Sequence, residues 1–243
     1  MQLTVEFDAA HGGRWTSLRT PEREWLWRNA SAEAARRAAR PGATFVDAGG
    51  VEECFPTVRG LPDHGDVWSR PWGERHGDLR LARRNRGGAP LTVDYTVMGP
   101  PHTPFVHAVH ALLDVSPSAR LEAPGATTAV LIDEGRTVDW PSGLDRLGPD
   151  DGTAVAAVLP GCAAATVHDG ADTLQLAWRV LEGDAPCSLL LWRNLGGWPA
   201  GGPYRSIGVE PMVGTAAALD GPGEPASTGA SGTLRWELTI AAG

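Results

Sequence analysis

The chain has 243 residues, 42% hydrophobic and 21% charged, with 29 acidic against 21 basic residues for a formal charge of -8. All of the basic residues are arginine, and a chain without lysine can form neither a Schiff base through lysine nor a phosphate-binding loop that depends on one. An acidic chain with no basic block has no electrostatic footprint for nucleic acid or for an anionic membrane surface, so neither is an expected partner.

The length suits one large domain over residues 1–243. Gly 31 and Pro 20 are spread along the chain, which implies many turns. Cys54, Cys162 and Cys187 are odd in number, far apart and without a CxxC pair, so no metal is expected and a reducing cytoplasm fits best. The start "MQLTVEFDAAHGG" has no basic segment followed by an apolar one, and no stretch approaches the roughly 20 apolar residues that cross a bilayer.

In chain order, Leu3, Val5 and Phe7 alternate with polar residues and predict a half-buried strand. "SAEAARRAAR", residues 31–40, is the one strong helical stretch, with Ser31 as N-cap and Pro41-Gly42 as its stop. Residues 61–72, "LPDHGDVWSRPW", concentrate a histidine, two aspartates, an arginine and two tryptophans between Gly and Pro. Gly65 allows a sharp turn beside His64. Trp68 and Trp72 offer flat apolar faces and Asp63, Asp66 and Arg70 offer hydrogen-bonding groups, a combination that suits a pyranose. A surface turn with two core tryptophans has the same composition.

"LTVDYTVMG" is a further strand, followed by "PFVHAVHALLDVSP". If residues 105–113 are extended, the odd offset between His107 and His110 puts them on opposite faces, so they cannot pair on a metal. His110 shares a face with Val106, Ala108 and Leu112, the surroundings of a satisfied core histidine, and His107 is expected to be solvated. "ATTAVLIDEG", Leu174 to Val180 and "CSLLLWRN" are strands as well. "GGWPAGGPYRSIGVEPMVG", residues 196–214, then carries Trp198 and Tyr204 on a Gly-Pro loop into an apolar run whose only ionisable residue is Glu210. A carboxylate between Val209 and Pro211 must be paired or used, either as a general base or as a strand-end acceptor for backbone amides. Residues 220–232, "DGPGEPASTGASG", form a loop before a last strand patterned by Leu234, Trp236, Leu238 and Ile240. Strands throughout, without long intervening helices, predict an all-β fold of antiparallel sheets packed face to face.

Four of these pieces, taken in order, resemble the aldose 1-epimerase (mutarotase) superfamily. They are "GGRWTSLRTPEREWLWRN", "GGVEECFPTVRGLPDHGDVWSRPW", "PFVHAVHALLDV" and "IGVEPMVG". The resemblance implies a galactose mutarotase-like β-supersandwich, no cofactor, and a small-molecule sugar substrate whose α and β anomers are interconverted by ring opening and closure. By the same analogy Glu210 is the general base, His110 the general acid, and His64 with Arg70 binds the sugar, between tryptophans such as Trp68 and Trp198. The Asp-His strand motif of the galactose-specific branch has no counterpart, since "VHDGAD" around Asp169 reads as a hairpin turn. Glu52-Glu53 stands where many relatives have an uncharged pair, and these acids with Asp63 and Asp66 favour a neutral sugar over a phosphorylated one. Two other readings share the fold: a non-catalytic carbohydrate-binding or regulatory module, and a glycosidase or lyase using Glu210 and Glu53 about 5 to 10 Å apart. Oligomeric state is not legible in the sequence.

Overall fold

The computed structural model describes residues 1–243. Period-two patterning becomes two large antiparallel sheets, beside a minor two-stranded one. The larger has nine strands in the order Thr4–Asp8, Arg14–Arg19, Val51–Cys54, His107–Leu113, Tyr204–Val213, Cys187–Trp198, Ala154–Pro160, Thr128–Leu131 and Arg136–Asp139. The smaller has seven, centred on Leu91–Met98, Thr233–Ala242 and Asp172–Glu182. Leu174, Leu176 and Trp178 are buried, as are Leu234, Trp236, Leu238 and Ile240, while their sequence neighbours alternate outward. This is the behaviour of strands with one face on a core. The 220–232 segment is irregular except for Ala226–Ser227, which pairs with Pro104–Phe105. No helix is long and apolar enough to cross a membrane.

The helix is shorter than its sequence suggests. It spans Glu33–Ala38, with Ala32 at the N-cap and no side-chain cap, because the Ser31 hydroxyl donates to the Asn29 side chain instead. Its value is one buried residue, Arg36. The guanidinium donates to both carboxylate oxygens of Glu52, at 2.7 and 2.9 Å, and Arg14 lies 3.5 Å from the same carboxylate. Both partners of the bidentate pair are nearly fully buried. Removing one partner of a buried ion pair strands the other charge, so Arg36→Met is expected to destabilise the fold by about 3–5 kcal/mol. Denaturant unfolding measures this, and a loss below about 1 kcal/mol would show that Arg14 alone compensates Glu52.

The large sheet is covered on both sides, which positions the site. On its inner face Val51, Val109, Leu113, Leu191 and Val209 join the main core with Tyr95, Trp236 and Leu238 of the smaller sheet. On its outer face Cys54, Ala108, Val158, Leu190 and Met212 form a second cluster with Val58 and Ala217 from connecting segments. The strand His107–Leu113 is buried along its whole length for this reason. The opposite facing of the two histidines is as parity requires, His107 inward and His110 outward, but His107 is fully buried, which corrects the expectation that it is solvated. The His107 Nε2 donates to Glu53, at 3.1 Å, and its Nδ1 accepts from the Trp236 indole, at 3.2 Å. Glu53 also accepts from Trp15, Tyr95 and Arg83. Burial alone would raise the Glu53 carboxyl, but these donors and the Arg83 charge hold it below the usual range. Glu53 is thus sealed in the inner core, on the opposite face from Glu210, and cannot serve as the second carboxylate of a glycosidase.

Candidate active site

A cavity of about 410 Å³ opens on the outer face of the large sheet, with Glu210, His110, His64 and Trp198 in its lining. Three adjacent strands meet there in register. Glu52 pairs with His110, and Glu210 lies level with His110 because Gly208 pairs with Leu112 and Met212 with Ala108. Glu210 also pairs with Leu190 on its other side. Even-numbered residues of these strands therefore project together into the outer layer.

Glu210 is fully buried, and neither carboxylate oxygen has a hydrogen-bond partner. The His110 Nδ1 stands 2.8 Å from Oε1, off the line of a formed hydrogen bond, so the contact is an ionic approach. Room for the carboxylate comes from Gly208, two residues earlier on the same face: a Cβ there would lie 2.4 Å from Oε1. With Nδ1 turned to Glu210, Nε2 is the ring nitrogen left to serve a substrate. Burial alone would lower the His110 pKa, but the Glu210 carboxylate, helped by Asp47 and Glu52, reverses this and raises it above the ordinary imidazole range.

His64 approaches from a connecting segment. Its φ of 59° lies in the left-handed region, and Gly65 follows at 72°, where a Cβ would meet the Phe55 carbonyl oxygen at 2.2 Å. Such strain persists where the surroundings over-determine it. Asp63 lies 3.0 Å from Nδ1, Phe45 stacks face to face at 3.7 Å, and the His110 ring stands edge-on at 5.2 Å. Burial, with the nearby His110 charge, pushes the His64 pKa down against the pull of Asp63. The two imidazole pKa values are thus shifted in opposite directions, that of His110 toward the charged form and that of His64 toward the neutral form.

Trp198 is 44% exposed at the rim of the cavity, and its backbone is pinned. The buried Asn194 side chain donates to the carbonyls of Trp198 and Tyr204, at 2.9 and 2.8 Å, and accepts from the amides of Gly197 and Trp198, both at 3.0 Å. Trp192 meets Trp198 edge-on at 6.1 Å and completes this apolar wall.

Two residues expected to touch the sugar do not line the cavity. Trp68 is 1% exposed, donates its indole N–H to the Gly65 carbonyl at 3.0 Å and packs edge-on behind Phe45. It supports the wall from outside. Arg70 is turned away because neighbouring acids hold it, Asp66 at 2.8 Å and Glu74 at 3.9 Å. Phe45, Asp47, Arg59 and Trp192 line the cavity instead. Phe45 and Asp47 carry no sequence signal, because they reach the site from an aperiodic segment, whereas Trp192 shares the outward face of its strand with Leu190 and could have been placed by the same parity. Asp169, as its hairpin reading implied, is structural: it pairs with Arg23 at 2.5 Å and accepts from the Ser116 amide at 3.0 Å.

The raised His110 pKa has a signed consequence. A histidine whose folded pKa exceeds its unfolded value adds stability that is fully present below the unfolded pKa and is lost as pH rises through the folded one. The stability difference between the wild type and His110→Asn is therefore expected to shrink with rising pH above the ordinary imidazole range. Chemical denaturation across neutral and alkaline pH tests this, and a difference that grew with pH would reverse the assignment.

No family sequence model matches the chain, and no curated protein sequence does. Solved structures do match. A protein from Synechocystis sp. PCC 6803 superposes with a TM-score of 0.71 at 15% identity, covering 100% of this chain and 94% of its own. A candidate aldose 1-epimerase from Escherichia coli gives 0.70 at 15% identity, covering 100% and 96%. A galactose mutarotase-like protein from Lactobacillus casei gives 0.65 at 13%, covering 100% and 97%. The chain has the galactose mutarotase-like fold.

Proposed function

We propose that this chain, with its galactose mutarotase-like fold, is an aldose 1-epimerase that interconverts the α and β anomers of a sugar without a cofactor. The observation that carries the reading is a fully buried Glu210 whose oxygens make no hydrogen bond and whose one ion pair is with His110, on the wall of a sugar-sized cavity. A buried carboxylate without hydrogen bonds is costly, and acid–base chemistry gives it a use. A binding module would have no need of it.

Opening a cyclic hemiacetal requires a proton to leave the anomeric hydroxyl while another reaches the ring oxygen. The Glu210 carboxylate accepts the first. Nε2 of protonated His110 delivers the second, so the pair passes from charged to neutral and the C1–O ring bond breaks. Rotation about the C1–C2 bond presents the other carbonyl face. Closure returns both protons, with the roles of the two groups exchanged. His64 donates or accepts through its own free ring nitrogen to hold a hydroxyl, and Trp198 stacks on the C–H face of the ring. Asp47, Asp63, Asp133 and Glu210 face a single lining arginine, Arg59, which favours an uncharged sugar over a phosphorylated one. The cytoplasm is the proposed location. The test is anomeric proton exchange across a panel of aldoses, followed by magnetisation transfer or polarimetry. Rates no faster than buffer for every sugar would end the catalytic reading.

A further inference from the structure

The galactose-specific acceptor motif is missing, so another group must hold the sugar's hydroxyls if the aldose reading holds, and the inference rests on that reading. Four carboxylates line the cavity, and their surroundings separate them. Glu210 is committed to His110. Asp63 is half-exposed and committed to His64. Asp133 is 69% exposed, at the outer lip, 3.9 Å from Arg59.

Asp47 differs from all three. It makes no ion pair; neutral donors hold it, the Tyr204 hydroxyl at 2.7 Å on Oδ2 and the Gly49 amide at 3.3 Å on Oδ1. The Tyr204 ring is itself stacked on Trp27, with centroids 5.4 Å apart and planes at 16°. Gly49 cannot be replaced without collision, since a Cβ would lie 2.2 Å from the Trp27 carbonyl oxygen. The hydrogen bond from Tyr204 spans 157 positions of sequence and joins the segment bearing Phe45 to the hairpin bearing Trp198. Asp47 is therefore a carboxylate on a rigid mount, with acceptor capacity left over on both oxygens, next to the aromatic wall. A carboxylate so held accepts from hydroxyls in charge-assisted bonds and needs little reorganisation to do so.

We infer that Asp47, oriented by Tyr204, is the specificity-determining acceptor of this site, binding one or two ring hydroxyls of the aldose. It replaces, from the segment ahead of His64, the acceptor that "VHDGAD" does not supply. Tyr204 is a positioning residue and acts only through Asp47.

The probes are D-glucose and D-galactose with their monodeoxy derivatives, assayed by anomeric exchange on the wild type, Asp47→Asn and Tyr204→Phe. For the better parent sugar, Asp47→Asn is expected to raise KM about 10-fold or more, with the larger part of the loss in KM and not in kcat, the usual worth of one charged hydrogen bond. The wild type is expected to disfavour one monodeoxy sugar by about 10- to 100-fold relative to the parent, and Asp47→Asn to treat the two alike. Tyr204→Phe is expected to shift the same ratio in the same direction by a smaller factor, and it reports on the site even if Asp47→Asn folds poorly. A merely structural role would depress all sugars equally and leave the ratios untouched. Retention of full deoxy discrimination by both variants would overturn the inference while leaving the epimerase reading intact. A wild type inactive on every sugar would overturn both.

Discussion

Glu210→Gln is expected to lower kcat for anomer interconversion by about 10²- to 10⁴-fold, the usual worth of one general base. The amide is nearly isosteric and occupies the space left by Gly208, so the variant is expected to fold. It also acts at a distance of one contact. The Glu210 carboxylate is the chief influence raising the His110 pKa against burial, so its removal is expected to lower that pKa. The variant thus loses the base directly and disfavours the charged form of the acid indirectly. Sugar binding, followed through the fluorescence of exposed Trp198, is expected to survive. A Glu210→Gln protein with wild-type turnover would remove Glu210 from the chemistry and leave its burial unexplained.

His110→Asn is expected to have an effect of similar size, about 10²- to 10⁴-fold on kcat, with little change in sugar binding. The alkaline limb of the pH–rate profile should disappear with it, since that limb reports the proton His110 must carry. Because the two groups act on one pair of proton transfers, the double variant is expected to be little worse than the poorer single one; a multiplied loss would mean that they work independently. An unchanged rate in His110→Asn would shift the acid role to His64, the other imidazole in the cavity.

The period-two strands were legible because one face of each meets a core, and the same arithmetic separated His107 from His110. Hydropathy could not say which of the two was the core residue. The strand is buried on both sides, so His110 among Val106, Ala108 and Leu112 looks no more functional than His107, and only the partners distinguish them. Those partners, Glu53 and Trp236 for one and Glu210 for the other, are distant in sequence. Glu210 stood out because a lone carboxylate in an apolar run demands an explanation. In "LPDHGDVWSRPW" composition suggested a wall, and His64 is part of one, but Arg70 and Trp68 are spoken for by Asp66 and by the packing behind Phe45. Phe45 and Asp47 left no trace in the sequence, because they lie in an aperiodic segment whose path is set by Trp27, Tyr204 and His64.

The cross-strand row Glu52, His110, Glu210 has a consequence for how such a protein can diversify. Backbone ladders hold neighbouring strands about 4.8 Å apart, so under the epimerase reading the gap between proton donor and proton acceptor is a lattice constant of the sheet, indifferent to drift at the rim. Under the same reading sugar preference would reside in the segment carrying Phe45 and Asp47, which the ladder does not constrain. Such an architecture would let one hexose be exchanged for another by rewriting that rim alone, with the reaction unaltered.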